Sequence, residues 1–242
     1  MMPFYDLGEG QKIPLSIRYN KRAKSIKMAL SASRSLRITS PHTISEQEIF
    51  SLLSEQHHWI KRALNRMPEA VPAVAFPDTV EFLGIGQTWS VHYQPNLLIS
   101  HIKLRIDSAH RQLTLSGQTQ DEHLVQDALI KFCKHVAKEV LTTKTRELAE
   151  KMQISVNKIS VRNQRARWGS CSSKANISLN CKLLFLSPQM MNYVIIHELC
   201  HTHHLNHSAK FWALVARFEP NYRALDRALN QYHTSIPSWC QF

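Results

Sequence analysis

Residues 194–208 read VIIHELCHTHHLNHS. Three branched aliphatics run straight into five histidines and one glutamate, and this junction decides how the C-terminal half is read. On a helical wheel Met191, Val194, Ile195, Ile196, Leu199 and Cys200 point in nearly every direction, as in a helix buried on most sides. A buried imidazole or carboxylate without a partner costs about 2–7 kcal/mol on transfer scales. These polar groups therefore need something that satisfies them. Successive helical residues turn by about 100°, so His197 and His201 lie about 40° apart on one face and a turn apart in height. Both imidazoles then reach one ion, and Glu198 falls beside it as a general base, outside the ligand set. This is the H-E-x-x-H arrangement of zinc hydrolases.

Catalytic zinc takes three protein ligands and keeps one position for water. His207, six residues after His201 and just before a Ser208 that reads as a helix N-cap, closes the triad if the chain turns back after Leu205. His204 is the rival, about 20° from the His197 direction if the helix runs on. The expected cofactor is Zn2+ or another divalent metal, which activates water at neutral pH while Glu198 takes the proton. Spacing identifies no group for the developing oxyanion.

A second stretch, VRNQRARWGSCSSKANISLN at 161–180, breaks strand alternation with Asn163, Arg165, Arg167, Trp168, Gly169 and Ser170, then resumes it at Ile177. These six are candidate substrate-binding residues, a rim whose arginines hold a carboxylate or phosphate as planar forks. The plainer reading is a basic hairpin turn with one packed Trp. Cys171, Cys181 and Cys200 lack structural-zinc spacing and read as small core residues.

Outward from the motif, helix 188–203 starts at Ser187 as N-cap with Pro188 at its first position, helix 208–218 follows, and a last helix begins near Pro220. Upstream come the strands KISV and NISLNCKLLF, with Ile177, Leu179, Cys181 and Leu183 on one face, preceded by a long helix from about residue 121. At the N-terminus Leu15–Tyr19, Ile26–Leu30 and Leu36–Ile38 alternate at period two between turns at 20–24 and 31–34, as in a small antiparallel meander. A helix follows over 45–67, with Ser45 and Glu48 as a capping box. The proline-rich MPEAVPAVAFPD at 67–78 reads as a linker, and the strands at 79–93 and 101–117 as hairpin-connected. No internal repeat is apparent. The expected fold class is α+β: a β-rich N-terminal part with one helix over 1–118, then an α+β part over 119–242.

The chain has 242 residues and 43% hydrophobic content, ordinary for a soluble globular protein. No apolar run approaches the roughly 18–20 residues of a membrane span. The N-terminal stretch lacks a basic segment followed by an apolar one, so no signal peptide is expected. Five cysteines, odd in number and irregularly spaced, suit a reduced, cytoplasmic chain. Thirty Lys+Arg against eighteen Asp+Glu give a formal charge of +12. That excess favours polyanionic partners such as nucleic acid or nucleotides, unless it is only a solvated basic surface. The oligomeric state is not legible.

The stretches RWGSCSSKANISLN and YVIIHELCHTHHLNHSAKFWALV resemble the YgjP-like family of predicted bacterial metallopeptidases, relatives of the SprT and WLM zincins. The N-terminal SIKMALSASRSLRITSP, HHWIKR and FLGIGQTWSVHY resemble it too, so the likeness covers most of the chain. It implies a zincin-like catalytic half, helices with a small antiparallel sheet, with the helix of His197, Glu198 and His201 under that sheet. It implies His207 of N-H-S as third ligand and RWGSCSS as a strand or hairpin near the cleft. Cys200 and the His203–His204 pair depart from the family's tendency toward Ala and fewer histidines. The family's name implies a peptidase, and nucleotide phosphohydrolase activity has been attributed to a member.

Three readings follow. The first is a zinc-dependent metallopeptidase acting on a peptide or protein, whose extended substrate pairs with the strand near 176–183. The second is a metal-dependent nucleoside triphosphate phosphohydrolase of pyrophosphatase type, with Arg162, Arg165 and Arg167 on the phosphates. The third is a nucleic-acid-binding protein with a structural metal, which needs no Glu198. The peptidase leads.

Overall fold

A computed structural model describes residues 4–8, 12–20, 23–30, 34–41, 44–67, 76–96, 101–232 and 236–240. Most of the stretch read as a linker (68–75) and parts of the two meander turns (21–22 and 31–33) lie outside the described residues. The fold is α+β, with six α-helices and three small sheets among the described residues. It divides into two compact units, Met1–Ala75 and Phe76–Phe242, and the division falls inside the proline-rich stretch.

The first unit holds strands β1 (Phe4–Asp6), β2 (Lys12–Tyr19), β3 (Lys27–Leu30) and β4 (Leu36–Ser40), in the order β1-β2-β4-β3. The alternation expected here is present, but the meander is not. β4 returns between its predecessors, pairing parallel with β2 (Leu15 opposite Leu36, Ile17 opposite Ile38) and antiparallel with β3. Period-two alternation specifies which residues face inward, and it is silent on which strand lies next to which. The helix expected over 45–67 is two, α1 (Glu46–Glu55) and α2 (His57–Arg66), broken at Gln56. Ser45 and Glu48 form the reciprocal capping box. Ile49, Leu53, Ile60 and Leu64 of the helices bury themselves against Leu15, Leu36 and Ile38 of the sheet.

The second unit opens with β5 (Thr79–Phe82), β6 (Gln87–Pro95), β7 (Ile102–Asp107) and β8 (Gln112–Gly117). Its order, β5-β6-β8-β7, and its pairing senses repeat those of the first sheet, with β6 and β8 parallel and the other pairs antiparallel. The repeat is also written in the chain: LGEGQ at 7–11 links β1 to β2, and LGIGQ at 83–87 runs from the end of β5 into β6. No repeat was expected from the sequence, and this is a correction.

Helix α3 (Glu122–Met152), about 46 Å long, is capped by Asp121, whose carboxylate accepts from the His123 and Leu124 amides. Phe132 of α3 meets Trp89 and Phe82 of the sheet at ring separations of 5.0 and 5.7 Å. The sheet of β5–β8 thus packs in one unit with residues 119–242, where the expected boundary at 118/119 would separate them.

Beyond α3 lie β9 (Lys158–Arg162), β10 (Gly169–Cys171) and β11 (Asn176–Asn180), in the order β10-β11-β9. This sheet is mixed: β10 is antiparallel to β11, and β9 is parallel to it. β11 is therefore flanked on both sides and offers no free edge for a substrate near 176–183. The expected alternation also stops at Asn180, because Cys181–Phe185 is a 3₁₀ turn with all five residues buried. Helix α4 (Pro188–Cys200) follows, with Ser187 as N-cap and Pro188 at its start, then α5 (Ala209–Phe218) and α6 (Tyr222–Gln231). Among the described residues no helix is long and apolar enough to cross a membrane.

Candidate metal centre

Helix α4 is mostly buried from Met190 onward, and Val194, Ile195, Ile196, Leu199 and Cys200 fill the surroundings of its C-terminal turns. His197 and His201 project from that end on one face, as the four-residue spacing dictates. Their Nε2 atoms lie 3.2 Å apart, and Nε2 of His207 lies 3.1 Å from that of His197. Among the described residues these three form the one cluster of His, Cys, Asp or Glu side chains able to share an ion.

The rival third residue takes a different part. The helix ends at Cys200 with His201 as its cap, so the wheel position of His204 does not apply. His204 instead contributes its main-chain carbonyl, which accepts from His201 Nδ1 at 2.9 Å. That bond puts the His201 proton on Nδ1 and leaves the Nε2 lone pair facing the cluster, the arrangement of a ligand histidine oriented by an outer partner.

The three imidazoles suit a divalent cation. Burial, then the neighbouring His201 and His207, hold His197 down at about 3, and burial also lowers His201. Neutral rings at hydrogen-bond distance can satisfy one another only pairwise, since His197 Nε2 has one proton at most and two neighbours. A shared cation satisfies all three lone pairs. Two of the separations, 3.1 and 3.2 Å, are close to the ~3.3 Å between nitrogens that each lie about 2.0–2.1 Å from a tetrahedral zinc, and all three nitrogens lie within 4.8 Å of one another.

Glu198 faces the sheet side. It is 6% exposed, and its Oε2 is buried without a hydrogen-bond partner among the described residues. Burial raises its carboxyl to about 7 against the opposing pull of the Arg167 charge. Gly169, at the start of β10, is what admits it: a Cβ there would meet Glu198 Cγ and Oε1 at 2.7 Å.

The loop ahead of Gly169 is pinned from inside. Asn180, 2% exposed, donates through Nδ2 to the carbonyls of Gln164 (2.9 Å) and Arg167 (2.7 Å), and its amide donates to that of Trp168 at 2.8 Å. Lys182 Nζ adds a second donor to Gln164 O at 3.2 Å. Of the six rim candidates, Arg165 and Arg167 are exposed, and Gly169 and Arg167 act directly on Glu198. Asn163 and Trp168 are half-buried in the pinned loop, and Ser170 pairs with Ser178 inside the sheet. Asn180 and Lys182 went unremarked in the sequence, where nothing marks a strand-end asparagine as holding carbonyls 13 and 16 residues away. Phe211 and Trp212, whose rings border the histidines, were quoted there only within the family motif. The five cysteines are all free, and none joins the cluster.

Among curated proteins no match is found. Comparison with protein families matches residues 24–232, most of the chain, to one described as YgjP-like, metallopeptidase domain. The match includes the pinned rim, the H-E-x-x-H helix and the loop that returns His207 to it, and on this span the chain belongs to the YgjP-like metallopeptidase family.

Proposed function

We propose that the protein is a zinc-dependent metallopeptidase, with His197, His201 and His207 as ligands and Glu198 as general base. Family membership makes the chain a hydrolase of metallopeptidase type. The observation that carries the finer reading is the convergence of three imidazoles at the end of the helix that also carries a buried carboxyl raised to about 7. A divalent ion bound there supplies Lewis acidity, lowering the pKa of water and polarising the scissile carbonyl.

The chain's own residues do the rest. Glu198, near neutrality at its working pH, takes a proton from the attacking water on Oε2 and returns it to the leaving amine. Gly169 lets its carboxylate lie against β10 without displacement. His201 is kept in one tautomer by the His204 carbonyl. Arg167, exposed beside Glu198, holds a substrate carboxylate or the developing oxyanion through its guanidinium. The same arginine, with Arg162 and Arg165 exposed nearby in sequence, supports a second reading, hydrolysis of a nucleoside triphosphate.

The test compares zinc-loaded wild type with Glu198→Gln on a peptide mixture and on nucleoside triphosphates. New peptide termini that vanish in the variant establish the peptidase. Phosphate or pyrophosphate release that depends on Glu198, with peptides intact, replaces it by the second reading.

A further inference from the structure

His207 is held differently from the other two histidines. His197 belongs to α4, and His201 caps that helix with its Nδ1 fixed by a carbonyl. His207 is exposed on irregular chain between α4 and α5, and among the described residues its side chain makes no hydrogen bond outside the cluster. Yet its ring is confined. Trp212, in the first turn of α5, stacks on it at 5.5 Å and 25°, and the Phe211 ring stands edge-on at 4.9 Å.

The stack continues outward. Trp212 lies on Tyr222, the first residue of α6, at 5.1 Å and 17°, and the Arg223 guanidinium sits 5.7 Å over the Tyr222 ring while its Nε donates to the Tyr222 hydroxyl. Core filling does not account for this column. Phe211 is fully buried and stacks on His201 at 4.4 Å, whereas Trp212 and Tyr222 are only half-buried. Two helices thus spend large, half-wet aromatic rings on the face of a loop imidazole.

We propose that Trp212, backed by Tyr222, is the positioning residue for His207, holding the imidazole plane so that Nε2 points at His197 and His201 before a metal arrives. The inference rests on the reading of His207 as a ligand. Preorganisation of this kind lowers the ordering cost of binding. A stacked aromatic pair is worth roughly a two- to tenfold change in an equilibrium constant.

The experiment is a zinc dissociation constant, from chelator competition on the full chain, for wild type, Trp212→Ala, Trp212→Phe, His207→Ala and the double variant Trp212→Ala with His207→Ala. Trp212→Ala should weaken zinc roughly three- to tenfold and Trp212→Phe by less than about twofold, since a phenyl ring keeps the stacked face. In the His207→Ala background the loss from Trp212→Ala should disappear, because the residue acts through that ring. Equal losses with and without His207, or no loss at all, overturn the proposal and leave Trp212 a packing residue of α5. Unchanged affinity in His207→Ala alone is a different failure, that of the ligand reading. If Trp212→Ala does not fold, Trp212→Leu carries the same comparison with the ring face removed and most of the volume kept.

Discussion

The Gly169 Cα lies against the Glu198 carboxylate so closely that one added methyl would meet Cγ and Oε1 at 2.7 Å. β10 is paired with β11 through Gly169–Leu179 and its neighbours and cannot simply retreat, so Gly169→Ala must move the glutamate. A displacement of about 1 Å at a general base costs on the order of a hundredfold in rate. Turnover should fall by about that factor while zinc content, read by elemental analysis, stays at the wild-type level, because no imidazole is touched. Wild-type turnover in Gly169→Ala would remove Glu198 from the chemistry.

Asn180→Asp tests the pinned loop. The substitution keeps shape and replaces the Nδ2 donor with an acceptor, leaving the Gln164 and Arg167 carbonyls facing a carboxylate. Gln164 O keeps its Lys182 Nζ donor, so the Arg167 carbonyl is the one left unsatisfied, at a cost of about 1–3 kcal/mol. Urea denaturation should show a loss of about 1–3 kcal/mol, and KM should rise more than kcat falls, since the loop carries Arg167 while Glu198 stays in α4. A variant as stable as wild type would mean that the loop is held without Asn180.

What was legible in the chain was local. The Ser45 and Ser187 caps, the start of α4 and the pairing of His197 with His201 each depend on residues within one or two helical turns. Strand order was not local: β4 inserts between β2 and β3, and alternation reads the same in a meander. The 3₁₀ turn at Cys181–Phe185 carries an apolar run that a strand would carry equally well. Which of His204 and His207 comes to lie by His197 and His201 turned on where α4 stops. The stop at Cys200 follows no glycine or proline, and the His201 ring takes the His204 carbonyl in its place. The LGEGQ and LGIGQ pair was a true signal, short enough to be missed without the two sheets side by side.

His204 and His207 should separate cleanly by mutation. His204 serves His201 through its main-chain carbonyl, which His204→Ala retains. Its zinc affinity should stay within about twofold of wild type. His207→Ala removes a clustered nitrogen and should weaken zinc by more than the 10–100-fold typical of an outer-shell loss. Chelator competition reads both, and the reverse ranking would return His204 to the ligand set.

The buried glutamate also sets how the metal-free protein responds to pH. Glu198 is raised from its ordinary 4.5 to about 7 by burial, so between these values the unfolded chain has lost a proton that the folded one keeps. Stability therefore falls as pH rises through that window, by about 3 kcal/mol in all. His197 works in the opposite sense. Held at about 3 by burial and its histidine neighbours, it stays neutral in the fold while the unfolded imidazole protonates below about 6.5, so its contribution is lost as pH drops. Below 6.5 the two trends offset, which is why the wild-type curve alone is uninformative. The comparison that isolates Glu198 is with Glu198→Gln in a chelator, by chemical denaturation from pH 4.5 to 8. The variant should gain on wild type steadily up to about pH 7 and hold a constant advantage of about 3 kcal/mol beyond it. A gap that does not change with pH would mean that the carboxyl titrates as an ordinary glutamate, leaving the site without a base poised near neutrality.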